Sequence, residues 1–154
     1  MFFPKQTEKI HTPLSKSQAA ARLKESIDPG LLTEDGERKK WFEGRSEDDA
    51  FEVHLKLKRP NNYVPVTFGI LEPDDDGGTI ILVKYGLFPS SKNFLLFWTI
   101  ITLLITIFFA IPYQAYLYAA ISLAACLVNY IITSENFKIQ VRKSSRALKF
   151  VTKG

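Results

Sequence analysis

From Asn93 to Ser134 the chain has no Asp, Glu, Lys, Arg or His, a gap of forty-two residues in a chain of 154. A segment with no charge over that length excludes a water-facing surface there. Cysteine is almost missing. Cys126 stands alone, so there is no internal disulfide, no CxxC pair and no Cys/His ligand set. It falls inside the uncharged run and reads as a small packing residue, too deep for palmitoylation, which favours juxtamembrane cysteines. Histidine is limited to His11 and His54, neither near a nucleophile or ligand cluster. His54 lies on the polar side of an alternating segment, where an exposed histidine is expected. The GxSxG, HExxH and phosphate-loop spacings are absent. Asp74-Asp75-Asp76 lacks the calcium-loop spacing and reads as a solvated turn. The expectation is a non-enzymatic protein with no catalytic, cofactor-binding or metal residues.

What is present in the gap is large and apolar. As one helix it would extend roughly 60 Å at about 1.5 Å per residue, twice a hydrocarbon core of about 30 Å. Tilt does not absorb that excess, so the run must fold back. Pro112 marks the place, because proline breaks a helix interior but suits a first turn. The expected spans are about 94–111 and 113–133, antiparallel because the connection is short. Tyr113, Tyr116 and Tyr118 cluster at the turn, with Trp98 and Tyr130 towards the other ends, as in interfacial aromatic belts. Ala115, Ala119 and Ser122 share one face of the second span and are its helix-packing residues. Thr99, Thr102 and Thr106 form a polar stripe on the first. Either the two stripes pack against each other or one recruits a partner membrane protein. Two helices enclose no pore, and no charge lies within the span to relay an ion.

The formal net charge of +4 is unevenly placed. From Glu135 onward six residues are basic and one is acidic; the preceding part has 14 basic and 15 acidic. Lys138, Arg142, Lys143, Arg146 and Lys149 are the expected membrane-surface basic residues, facing anionic headgroups of the bilayer at roughly 1 kcal/mol each. The basic flanks place both termini in the cytoplasm, with the uncharged turn on the far side. Nucleic-acid binding is not expected, since the tail has no aromatic platform or Gly-rich motif.

Outside the membrane, residues 1–92 are read as a cytoplasmic α+β domain. Lys9 to Pro13 is extended, and Ser15, or Ser17 if the start frays inward, caps a helix over Lys16 to Ile27, ended by Asp28-Pro29-Gly30. Leu31 to Lys40 is a polar loop. Trp41 to Gly44 and Ala50 to Lys58 read as paired strands, the second with Phe51, Val53, Leu55 and Leu57 alternating with polar residues. Trp41 and Phe42 read as core rather than a ligand platform. A turn at Pro60-Asn61-Asn62 precedes a strand over Val64 to Leu71. The Pro73 to Gly78 hairpin connects it to a returning strand over Thr79 to Leu87. Residues 135–154 form a basic tail in which Phe137, Ile139 and Val141 alternate with Lys138, Gln140 and Arg142, predicting a strand that completes the sheet.

Trp41-Phe42-Glu43-Gly44, Phe51-Glu52-Val53, Val64-Pro65-Val66-Thr67-Phe68-Gly69 and Gly78-Thr79-Ile80, followed by two close apolar spans and a short strand, make a pattern over most of the chain. It resembles small uncharacterised bacterial membrane proteins with a cytoplasmic sheet domain and a two-helix hairpin, and more loosely bacterial pleckstrin-like membrane proteins. The resemblance implies the bacterial inner membrane and transfers no catalytic residue. The expected fold is an α+β membrane protein: a small antiparallel sheet with one N-terminal helix, interrupted by an antiparallel two-helix transmembrane hairpin. The expected function is an interaction module or accessory subunit of a larger membrane complex, the alternative a lipid-headgroup or small-ligand binding module.

Overall fold

The structure is a computed structural model that describes residues 3–28, 41–47, 49–56 and 63–153. The Pro29-Gly30 stop, the Leu31 to Lys40 loop and the Pro60-Asn61-Asn62 turn lie outside them.

The described chain is α+β. Strand β1 (Lys5–Thr12) leads to helix α1 (Lys16–Ser26) and the two-residue β2 (Ile27–Asp28). Strands β3 (Phe42–Ser46), β4 (Ala50–Leu55), β5 (Pro65–Pro73) and β6 (Thr79–Leu87) follow, then the long helices α2 (Pro89–Ala110) and α3 (Tyr116–Val151). The sheet order is β1-β6-β5-β4-β3-β2. Five strands are antiparallel; β2 adds a short parallel edge through Ile27↔Phe42 and Asp28↔Glu43.

Local chemistry accounts for the boundaries. Ser15 accepts a hydrogen bond from the Gln18 N–H while the Gln18 side chain reaches back to Ser15, a capping box that starts α1 at Lys16. Ala19 and Leu23, one turn apart, are fully buried beneath it. The β5–β6 hairpin closes through the Asp74 N–H to Gly78 O and the Gly77 N–H to Asp74 O, both 3.0 Å. Gly77 sits at φ +84°, a left-handed conformation that costs glycine least.

Alternation sorts the two faces of the sheet. Ile10, Phe51, Val53, Leu71, Ile81, Val83, Tyr85 and Leu87 point to one side and are buried. Phe68 and Ile70 point to the other and are exposed. The buried side is covered by α1 and by the last four turns of α3, from which Phe137, Val141, Ala147 and Leu148 enter the same core.

The tail is therefore a helix, not the expected strand. Residues 137–142 lie within the unbroken 36-residue α3. Phe137, Ile139 and Val141 fit either period over so short a stretch. Farther along, Phe137, Val141, Ser144 and Leu148 recur at helical spacing and are all buried, while Ile139 is 46% exposed. The edge of β6 is taken by β1 over eight positions, and the tail instead covers a face of the sheet.

The apolar helices also differ in extent from the expected spans. The first begins five residues earlier, at Pro89, and the second starts at Tyr116. Pro112 lies in the turn between them rather than in the first turn of α3. The turn carries Gln114 at φ +50° and is tied by the Ala115 N–H to Phe109 O at 2.9 Å.

Candidate functional site

Two helices, α2 and α3, are long and apolar enough to cross a membrane. Only 6% and 11% of their most apolar windows are buried, unlike the core helix of a water-soluble domain. This supports membrane association. Along their seam the Thr99, Thr102 and Thr106 hydroxyls each donate at 2.8 Å to the carbonyl four residues earlier. That arrangement satisfies a hydroxyl where no water is available. Ser122 of α3 donates across the seam to Thr102 O at 3.0 Å. Ala119 is buried, and Ala115 is the half-buried residue preceding α3. The structure thus brings the Ala119 and Ser122 face of α3 onto the threonine stripe of α2. Ala120, Ala124 and Ala125 remain exposed on the outward side. Cys126 is a free, half-buried thiol.

The five basic residues of the tail do not form one patch. Lys138 pairs with Glu135, one turn before it, at 2.6 Å. Lys149 pairs with Glu8 of β1, also at 2.6 Å. Arg142, Lys143 and Arg146 are exposed and make no ion pair among the described residues. The helix rises about 1.5 Å per residue, so Lys149 lies roughly 20 Å along the axis beyond Ser134. Screening at physiological salt acts over about 8 Å. Lys138, Arg142 and Lys143 are the members placed nearest the end of the apolar segment.

The polar cluster around Glu8 was not foreseen. Tyr85, from the neighbouring strand, donates its hydroxyl to Glu8 Oε2 at 3.2 Å, and Ser145 of α3 bonds the same carboxylate. Desolvation pushes the Glu8 carboxyl up, but hydrogen bonds from Lys149 and Ser145, the Lys149 charge and the Tyr85 hydroxyl outweigh it and hold the carboxyl below its ordinary value. Burial, then the Glu8 charge, raises the Tyr85 phenol well above its own. Beside this cluster the Thr12 hydroxyl donates to Thr152 O at 2.6 Å, and Arg22 donates to Lys153 O at 2.6 Å. Together these contacts clamp the end of α3 to β1 and α1. An alternating polar residue on β1 was visible in the sequence, but nothing there linked it to a lysine far along the chain.

The remaining titratable groups act locally. His54 is half-buried rather than exposed, with Nε2 3.2 Å from Glu43 and its ring edge-on to Phe88 at 5.2 Å. Asp74 of the acidic turn lies 3.3 Å from His11. Phe42 is fully buried, and Trp41 packs against the core with its ring 5.8 Å from Phe150. Among the described residues no three His, Cys, Asp or Glu side chains converge on one point.

An open cleft of about 720 Å³ runs between α1 and the β3–β4 turn, past Lys16, Lys24, Glu47 and Asp49. Lys16 closes one side of it by pairing with Asp49 at 2.5 Å. A smaller hollow of about 290 Å³ lies beside Lys9, His11, Lys149 and Lys153. Comparison with protein-family models, with curated proteins and with solved structures finds no match for this chain.

Proposed function

We propose that this protein is a non-enzymatic, two-pass membrane module that docks to a membrane protein partner as an accessory subunit. One observation carries the reading. The Ala119 and Ser122 face of α3 is spent on α2, while Ala120 and Ala124, one turn apart, face outward. Small residues at that spacing let a second helix approach closely, an association driven by packing rather than by the hydrophobic effect. In this reading the protein sits in a bacterial inner membrane. The tail cations and Lys84 and Lys92 before α2 hold both termini in the cytoplasm. The clamp between α3 and the sheet supports a module that moves as one piece with its helices.

Gentle solubilisation followed by native mass measurement tests the reading. A species heavier than one chain, carrying another membrane protein, is the expected result, and Ala120→Leu with Ala124→Leu should release it. A strictly monomeric wild type with nothing co-purifying overturns the proposal.

A second reading is a lipid-headgroup binding module, favoured by Arg142 and Lys143, exposed and unpaired among the described residues close to the end of the apolar segment. Its test is a thermal shift with anionic lipid, and no stabilisation removes its support. Neither reading involves nucleic acid.

A further inference from the structure

Phe68 and Ile70 of β5 are 45% and 52% exposed on the face of the sheet turned away from α1 and α3. Ile80 and Leu82 of β6 are half-buried beside them, with Leu82 in register with Ile70. The open face of an antiparallel sheet is expected to be polar. A contiguous apolar cluster there marks a surface that another molecule covers.

Charge flanks the cluster unequally. On one side Lys84 of β6 is in register with Phe68, and Lys9 of β1 with Leu82. On the other side Glu52 of β4 is in register with Phe68, and Ala50 with Ile70. The Glu47 N–H extends that row by bonding Ala50 O at 2.8 Å. Lys9, Lys84, Glu47 and Glu52 are exposed and make no ion pair among the described residues.

The direction of the strands restricts what fits. Glu8 meets Ser145 and Lys149, and Thr12, four residues on, meets Thr152. Helix α3 therefore runs alongside the strands, and β6 ends at Leu87, two residues before α2 begins. With α2 and α3 spanning a membrane, the strands lie close to its normal. Two copies with the same orientation in one membrane are related by a two-fold axis along that normal. Drawn over β5, where the exposed apolar side chains stand, the axis sets Phe68 against Phe68 and Ile70 against Ile70 of the second copy. It turns the β6 and β1 side of each copy onto the β4 and β3 side of the other, in two aligned sheets about 10 Å apart. At the height of Phe68, Lys84 then meets Glu52 of the second copy, and Thr7 meets Arg45. At the height of Ile70, Lys9 meets Glu47. Opposite charges so matched favour this pairing over others. Glu72, on the axis at the far end of β5, meets its own charge.

We propose that the outer face of the sheet is a homodimer interface. A second copy of this chain in the same membrane packs on Phe68 and Ile70, with Lys84 paired to Glu52 and Lys9 to Glu47. The proposal rests on the reading of α2 and α3 as membrane spans. It uses a surface separate from the Ala120 and Ala124 face of α3.

The test is the mass of the purified full chain in mild detergent, with cross-linking in its own membrane by a short bis-maleimide. The expected result is a dimer. In a Cys126→Ser background, Ile70→Cys should cross-link to twice the chain mass. Thr7→Cys, two strands from the axis, should not. Lys84→Glu and Glu52→Lys should each weaken association by about tenfold, since each reverses a pair that occurs twice in the interface. The two together should restore it, which a damaged fold would not. Glu72→Gln should tighten association, and Ala120→Leu with Ala124→Leu should leave the dimer intact. A monomeric wild type, no rescue in the double reversal, weaker association of Glu72→Gln, or cross-linking of Thr7→Cys as readily as Ile70→Cys overturns the proposal. Cross-linking of Ile70→Cys to a different protein overturns the second copy as occupant. Loss of the dimer in the Ala120→Leu, Ala124→Leu variant overturns the sheet face as the contact. Release of the chain from membranes by alkaline carbonate overturns the spanning reading and the axis with it, whereas a monomer that stays in the membrane overturns the dimer alone.

Discussion

Glu8 gathers three partners from two other elements, and its protonation is coupled to the clamp. Its folded-state value is lowered, so its contribution is complete above the ordinary carboxylate range near 4.3 and is lost as pH falls through the lowered value. The Tyr85 phenol is raised, so its contribution is complete below about 10 and is lost as pH rises beyond that. The unfolding midpoint of the solubilised protein should therefore hold between about pH 5 and pH 10 and decline on either side. Glu8→Gln should flatten part of the acid decline; an unchanged acid limb in that variant would show that Glu8 is not the group responsible.

Gly69 is constrained for a different reason. It faces the core on β5, and a Cβ there would collide with the ring of Phe51, itself 3% exposed on β4. Gly69→Ala should cost about 1–3 kcal/mol in denaturant unfolding. Combined with Phe51→Leu the loss should be less than additive, because the smaller side chain vacates the collision. Strict additivity would mean the two residues do not meet. The sequence showed the alternation that puts Phe51 inside. It did not show that glycine was needed opposite, since that depends on the pairing Phe51↔Gly69.

At the scale of elements, α3 is the part that differs most from expectation. No proline or glycine occurs between Tyr113 and Lys153, so nothing interrupts a helix once it is formed. That absence was the legible signal for a continuous helix; the strand pattern at Phe137, Ile139 and Val141 was a coincidence of two periods over five residues. Thiol accessibility decides between them. In a Cys126→Ser background, single cysteines from 136 to 150 should label with a period of 3.6, with Ile139 and Phe150 open and Phe137, Val141 and Leu148 closed. Alternate-residue labelling would restore the strand. Leu148→Ala, at a fully buried position, should lower stability by about 2–5 kcal/mol. An effect below 1 kcal/mol would mean that the end of α3 does not dock on the sheet.

For the whole molecule, the consequence is that the sheet and its covering helices are not contiguous in sequence. Residues 5–87 build the sheet and one covering helix, and residues beyond 134 supply the rest of the cover after the chain has passed through both apolar helices. A chain ending at Ser134 would leave Ile81, Tyr85 and Leu87 facing a gap where Phe137, Val141 and Leu148 belong. Such a truncation should lose cooperative unfolding of the sheet domain, as followed by circular dichroism in detergent. A sharp transition close to that of the full chain would show that α3 is dispensable to the core.

The sequence by itself determined much of what depends on neighbours a few residues apart. The absence of charge demanded two folded-back helices. Ser15 with Gln18 started α1, Asp74 to Gly78 turned the hairpin, and alternation chose the inner face of β4. Only the tertiary structure decided what depends on distant partners. It gave the edge of β6 to β1 and left one face of the sheet for the tail to cover. It placed Lys149 on Glu8 and Ser122 on the α2 backbone. The physical reason is the same in each case. Periodicity and turn chemistry act along the chain, whereas the filling of edges, faces and hydrogen-bond donors is settled between segments that only folding brings together.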